Sequence, residues 1–374
     1  MMFSPTNPSG SRSGRRRFIA SLAGAFGLVL GGCDTVPQGD LARLRLGHVY
    51  EVNSPTQQFG MARLNDRLAA AGVALQVDVY PGAQLGNEAE LLEQLVAGEI
   101  DMAIAGPSFL GMWVPQLGVF DAAYVFTDLE QMLRVAEGPL IAPYWEALRE
   151  RYGVRVLTTW AYGSRHITAN RPVRHPDDLK GFRLRLPAAR VWQESGSALG
   201  ASPMPMAFSE VYMALQQGIA DGQENPIPVI RSMGFQEVQK YLVLTGHIQS
   251  SIQILVNERS WNRLKAADQQ ALAAAVEELG SEVLAGIRAE ESELLEVWRR
   301  EQTMQIITDV DVAAFRRRAA EYFGKGFEFS ELYRQITADA PPAVQPSQPK
   351  FSAGAGEPVL KRASESPSST EARL

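Results

Sequence analysis

Thiols, clustered histidines and catalytic signatures are what this chain of 374 residues is short of. It has one cysteine, Cys33, so neither a disulfide framework nor thiolate chemistry can be built into the chain beyond it. The four histidines, His48, His166, His175 and His247, never fall in pairs at metal-ligand spacing, so no metal centre is expected. No Gly-x-Ser-x-Gly elbow is present, and the serines, histidines and acids show no pattern that defines a triad. The turn Gly82-Ala83-Gln84-Leu85-Gly86 lacks the Lys-Ser/Thr of a P-loop and the third glycine of a dinucleotide fingerprint. It reads as a turn at a strand end that borders a cleft, and no cofactor is expected. A formal charge of −6 without any basic, aromatic-interleaved run excludes a nucleic-acid partner.

The amino terminus is an address. Arg15-Arg16-Arg17-Phe18-Ile19 has the twin-arginine export pattern, followed by an apolar run to Leu30 that is too short and glycine-rich to span a bilayer. Leu30-Gly31-Gly32-Cys33 looks like a bacterial lipobox, which makes residues 1–32 a cleaved signal, Cys33 a lipid anchor and 33–41 a tether. Asp34 resembles the signal that retains such lipoproteins on the inner membrane, facing the periplasm. Without residues 1–32 the chain has 32 basic against 42 acidic residues, so anions must be bound through a local positive pocket and not through the net field.

Hydrophobic residues at 45% and charged residues at 21% describe a globular body with ample core. Its periodicity predicts strands over 44–52, 75–79 and 100–105, alternating with helices over 55–71 and 87–97. That βαβαβ order predicts an α/β fold with a parallel sheet. A loop and two aromatic-rich helices occupy 106–150, a strand comes next over 154–160, and a second α/β unit begins near Ser164. Tyr241–Thr245 and Ile252–Val256 read as strands leading back to the first unit. A helix from Leu264 to about Gln302 carries one apolar stripe of Leu272, Val276, Leu279, Val283 and Leu284. Beyond Asp339, six prolines and the lone aromatic Phe351 predict a disordered tail to Leu374. Leu95–Asp101 and Leu215–Asp221 repeat one pattern: a helix, a glycine stop and an aspartate three residues later, as two similar lobes facing one cleft would show.

The chain is organised around Gly181–Pro226. Here Arg183 and Arg185 leave a strand that Pro187 stops, and Gln223-Glu224-Asn225-Pro226 turns back to meet them. An arginine fork at a strand's carboxyl end suits gripping a carboxylate. Arg165, after Trp160-Ala161-Tyr162-Gly163, is placed similarly. Alternation puts Arg183 and Arg185 on one face and does not choose between them.

Asp177–Arg185, Met206–Gln216 and Asp221–Pro226, with Gln84-Leu85-Gly86-Asn87 and Val238–His247, resemble the solute-binding proteins of TRAP (tripartite ATP-independent periplasmic) transporters, dicarboxylate-type branch. The similarity runs over roughly 42–335. It implies the two-lobed periplasmic-binding-protein fold of type II: mixed or parallel sheets flanked by helices, hinge strands and a long lobe-spanning helix. Lobe I would hold 42–162 with about 251–290, and lobe II 163–250 with about 291–338. It implies no catalysis, but binding of an organic acid (a mono- or dicarboxylate, sugar acid or 2-oxo acid) and delivery to the TRAP membrane permease. By motif match Arg185 pairs with the solute carboxylate, Arg165 is a second ligand-contacting arginine, Asn225 supplies an amide, Phe208 lines the pocket, and Asn53 is a looser match at the mouth of lobe I. A ligand-sensing lipoprotein and a periplasmic enzyme acting on a carboxylate are the alternatives. Permease genes beside this one would separate the first, and ligand turnover the second.

Overall fold

The computed structural model describes residues 41–339; the leader with Cys33 and the proline-rich segment from residue 340 lie outside them. Strand β1 (Ala42–Gly47) buries Leu44 and Leu46, the period of two expected of it. A π-helical turn (Thr56–Met61) runs into α1 (Ala62–Ala70), then β2 (Leu75–Tyr80), α2 (Glu88–Ala97) and β3 (Met102–Ala105). The ends of α2 are written in its sequence. Asn87 and Glu90 form a reciprocal capping box, and Gly98, at φ +79°, supplies the left-handed stop.

Next come α3 (Pro107–Leu110), a 3-10 helix (Pro115–Asp121), α4 (Leu129–Glu137), α5 (Ala142–Tyr152) and β4 (Val154–Ala169). The second unit is β5 (Arg183–Leu186), α6 (Arg190–Leu199), β6 (Ser202–Pro205), α7 (Val211–Gln216), β7 (Gly222–Pro226) and α8 (Ile227–Ser232). Strand β8 (Tyr241–Asn257), α9 (Glu258–Arg263), α10 (Ala266–Glu301), β9 (Gln305–Ile307), α11 (Val312–Phe323) and α12 (Ser330–Ala338) complete the described chain.

The strands form one mixed sheet in the order β2-β1-β3-β8-β4-β7-β5-β6, with β9 beside β8. Each end is parallel, β2-β1-β3 at one and β7-β5-β6 at the other, while β8 and β4 run antiparallel between them. Periodicity ended the β4 strand at Trp160 and divided β8 in two. Both instead cross the whole molecule. Glycine and polar residues around Gly163 and Gly246 break the apolar alternation, but the ladder passes through them by register shifts at Ala161/Gly163 and Arg165/Ile167. Gly163 has φ +123°, and a Cβ there would meet Pro226 at 2.8 Å, so this bend accepts only glycine.

The repeated helix-glycine-aspartate pattern has one structural meaning in both units. Asp101 takes the backbone N–H of Arg45 on its carboxylate at 2.9 Å, and Asp221 takes that of Arg183 at 2.8 Å. Each aspartate fastens the start of its own strand to a backbone N–H of the neighbouring one, within β1 for Asp101 and at the first residue of β5 for Asp221.

Helix α10, whose rise of 1.5 Å per residue makes it about 54 Å long, joins both core clusters. Leu272, Val276, Leu279, Val283 and Ile287 enter the larger cluster, and Leu295 and Trp298 the smaller; Leu284 is only half-buried. Trp160 is its keystone contact, donating from Nε1 to Val276 O at 2.7 Å. A Cβ at Gly60 or Gly280 would come within 2.5 or 2.7 Å of the Trp160 ring, so glycines on two helices make room for one indole. The 3-10 helix after β3 packs on α6 of the second unit and on α12, and just beyond it Ala123 O accepts from Tyr333 Oη of α12 at 3.1 Å.

Candidate functional site

A cavity of about 300 Å³ lies where the carboxyl ends of both parallel units meet, the place an open α/β sheet binds ligands. Its walls include Tyr50 after β1, Glu88 at the start of α2, Arg165 on β4, Arg185 at the end of β5, Phe208 before α7 and Asn225 on β7. Ala83 and Asn87, from the glycine turn after β2, also border it.

Arg185 is fully buried, with 1% of its surface exposed. Its Nη2 donates to Met206 O at 2.7 Å, whereas Nε and Nη1 are buried without partners. Burial draws its pKa down to about 10, Glu224 opposing and Arg165 adding to the effect. A buried guanidinium with two unsatisfied donors in a cavity wall has the chemistry to accept an oxyanion. Arg183, on the same strand face, does something else. It is exposed and paired with Asp221, Nη2 to Oδ1 at 2.6 Å. Two residues of strand rise, roughly 6–7 Å, carry Arg185 but not Arg183 to the cavity.

Arg165 is not free. Its Nε and Nη2 grip the Glu224 carboxylate at 2.5 and 2.7 Å, and Nη2 also donates to Glu224 O at 2.9 Å. Its guanidinium stacks on Trp192, 4.5 Å from the ring centroid. Burial alone would raise the Glu224 carboxyl, but Arg165 and the bond from His247 Nε2 at 3.2 Å hold it below its ordinary value. Thr245 Oγ1 lies 2.8 Å from His247 Nδ1. Burial, with His247 adding, drops the neighbouring His166 to about 3.

Asn225 is held by a relay of side chains: its Nδ2 donates to Gln223 Oε1 at 2.6 Å, Gln223 Nε2 to Thr168 Oγ1 at 3.0 Å, and Thr168 Oγ1 to Gln239 Oε1 at 3.1 Å. The relay fixes the amide before any solute arrives. Phe208 packs edge-on against Phe235, with the Arg185 guanidinium 5.7 Å from its centroid. Asn53 stands apart. It does not line the cavity; its Nδ2 reaches Ser232 O at 3.5 Å and its carbonyl accepts from Arg231 Nη2 at 3.4 Å.

Four residues at or beside the cavity are not legible as such in the sequence. Glu224 stands in the Gln-Glu-Asn-Pro turn, but nothing in the spacing pairs it with Arg165. Tyr50 and Trp192 are single aromatics. Glu88 sits in the first turn of α2, where an acid has the ordinary task of complementing the helix dipole. The available signal was positional: a helix that starts at the carboxyl end of β2 aims its first turn at the cleft. Glu88 is half-buried and accepts from Gly106 N at 2.9 Å. Removal from water pushes its carboxyl up to about 7, the Gly106 bond and both arginines opposing and Asp121 reinforcing.

Residues 46–328 match the profile of the bacterial extracellular solute-binding proteins, family 7 (DctP). The chain belongs to this family. It is a solute-binding protein and not an enzyme. It is 31% identical over 288 residues to the sialic acid-binding periplasmic protein of Vibrio cholerae, covering 77% of this chain and 81% of that one. Among solved structures, a TRAP periplasmic solute-binding protein of Roseobacter denitrificans with bound 3-deoxy-D-manno-oct-2-ulosonic acid superposes with a TM-score of 0.75 at 29% identity, over 80% of this chain and 99% of that one. A second from the same species, with bound L-galactonate, gives 0.74 at 31%, over 79% and 99%. The α/β architecture with its mixed sheet and long helix is that of these proteins.

Proposed function

We propose that this protein is the periplasmic receptor of a TRAP transporter, and that it binds one hydroxylated monocarboxylic acid of the sugar-acid class and hands it to the membrane permease. The observation that carries this reading is Arg185, buried in the cavity wall with Nε and Nη1 unmatched. Asn225, held in place beside it, completes the carboxylate clamp, and Phe208 covers the clamp's apolar side. Arg165, neutralised by Glu224, contributes donors and shape more than net charge. Across the cavity Glu88, Tyr50 and Ser251 offer acceptors and donors suited to hydroxyl groups. A second carboxylate of the solute would meet Glu88, which disfavours dicarboxylates. The bound acids of the two Roseobacter relatives are of this hydroxylated class.

The same reading divides the chain into lobes. Residues 42–162 with about 251–290 would turn against 163–250 with about 291–338 at the β4 bulge beside Gly163. Closure expels water and strengthens the arginine contacts. A charge-assisted bond is worth about 1.5–3 kcal/mol, so the clamp needs the buried body of the solute to reach micromolar affinity. Asn53 and Arg231 then hold the two lobes to each other at the rim, in place of a solute contact for Asn53.

Titration calorimetry with L-galactonate, L-galactose and succinate tests the reading. The acid is expected to bind at micromolar Kd or tighter, at least about 100-fold more tightly than the uncharged sugar, which forfeits two charge-assisted bonds. Equal affinity for galactose, or preference for succinate, overturns it.

Twin-arginine export and lipidation at Cys33 would fix the receptor on the inner membrane and raise its concentration beside the permease. Cys33→Ala is expected to move the protein from the membrane to the soluble periplasmic fraction. Retention of the variant on membranes contradicts the anchor.

A further inference from the structure

Two local conditions require a glycine: a left-handed backbone, or a neighbour so close that a Cβ has no room. Among the described residues every glycine but one meets one of them. Those outside the left-handed region would bring a Cβ to 3.0 Å or less from another atom, down to 2.1 Å at Gly222. Gly106 is the exception. Its φ of −74° and ψ of 152° suit any residue and are angles that the following Pro107 favours. A Cβ there would meet nothing nearer than Glu88 Oε1 at 3.7 Å, an ordinary van der Waals contact.

Capping does not account for the glycine either. Gly106 is the N-cap of α3, where serine, asparagine or aspartate would serve as well or better, because each brings an acceptor side chain. What Gly106 does have is a place in the cavity wall. Residues Met102–Ala105 of β3 are wholly buried, and the chain comes out onto the cavity at Gly106, as β5 does at Arg185. The Gly106 N–H donates to Glu88 Oε1 at 2.9 Å, which ties this backbone to the first turn of α2. A side chain added at 106 would therefore stand beside Glu88, in the open space of the cavity.

We infer that position 106 sets the length of acid the receptor takes: the space a side chain would fill holds the end of the solute remote from its carboxylate. Arg185 and Gly106 line the cavity from opposite units, so a solute clamped at Arg185 reaches towards Gly106 as its chain lengthens. A hydroxyl arriving there meets the Glu88 carboxylate as an acceptor. The recess fits sugar acids of six carbons or more. A four-carbon acid held at Arg185 falls short of it and gains nothing from the missing side chain.

This rests on the reading of the cavity as an acid-binding site. Titration calorimetry with L-galactonate (six carbons), D-erythronate (four) and 3-deoxy-D-manno-oct-2-ulosonic acid (eight) tests it, on the full chain and on Gly106→Ala and Gly106→Leu. Both variants are expected to fold, because neither backbone angle nor neighbour excludes a side chain, and melting curves check this. The unmodified protein should bind L-galactonate more tightly than D-erythronate. The quantity read is the ratio of those two dissociation constants. One methylene in a fitted pocket is worth about 10- to 200-fold, so Gly106→Leu should cut the preference for L-galactonate by at least about 100-fold. Gly106→Ala should cut it by a smaller factor in the same direction, and the eight-carbon acid should lose at least as much as L-galactonate. An unchanged ratio in Gly106→Leu, an equal loss of both acids, or a parent that prefers D-erythronate overturns the proposal and leaves the receptor reading intact. Absence of binding of all three acids to the unmodified protein overturns the receptor reading and this proposal with it. If Gly106→Leu does not fold, the ratio in Gly106→Ala decides.

Discussion

Arg185→Met is expected to abolish solute binding while the unliganded protein melts at an unchanged or higher temperature. Both halves come from one fact: the Arg185 guanidinium is buried with only one of its hydrogen-bonding groups satisfied, by Met206 O. In the free protein its charge is a cost, which is why burial lowers its pKa to about 10. Methionine keeps the length and volume of the side chain and removes the unsatisfied charge. For the solute the same change removes two charge-assisted bonds, a loss of about 3–6 kcal/mol, or about 10²- to 10⁴-fold in Kd. Calorimetry and a melting curve on one preparation check both. A variant that binds normally would place the clamp elsewhere, and one that melts well below the parent would make Arg185 a structural residue.

Glu224→Gln is expected to do the reverse, weakening the fold first. Glu224 is completely buried and holds Arg165 through both carboxylate oxygens, with His247 on one of them. Neutralising it strands a buried guanidinium, a loss that runs to about 3–5 kcal/mol when one partner of such a pair is removed. For a chain of this size that is a fall in Tm on the order of 10 °C. Replacing both partners, as Arg165→Met with Glu224→Leu, should recover most of the stability, because no charge is left unpaired. The carboxyl is held below its ordinary value, so its contribution is present above the unfolded carboxylate range and is lost as pH falls through that range and below it. The parent should therefore lose its advantage over Glu224→Gln in acid. A parent and variant that melt together at neutral pH would show that the pair adds nothing to stability.

These two residues were equally visible as letters. Arg185 belongs to a strand-end motif whose meaning survives in the sequence, since a proline stops the strand and a parallel sheet presents its carboxyl ends to ligand. Glu224 looked like one polar residue in a turn. Its partner comes from a strand whose length the alternation hid, because glycine and polar residues at the bend between Ala161 and Arg165 erased the apolar period while the ladder ran on.

Local physics alone determined much of this protein. Helix α2 was legible to within one residue from its apolar spacing and glycine stop, and so was the βαβαβ order of the first unit. The repeated glycine-aspartate pattern reported two equivalent strand ties. That Gly181–Pro226 contributes to the wall of a cavity was also legible, because backbone spacing and turn chemistry act over a few residues. What only the tertiary structure decided is the charge state of the cavity. Arg185 was separated from Arg183 by two residues of rise, Arg165 was cancelled by Glu224, Asn53 was drawn away to Ser232, and Glu88 was brought into the same cavity wall as Arg185. Charge pairing depends on through-space distance and on exclusion of water, and neither is a property of neighbours in the chain.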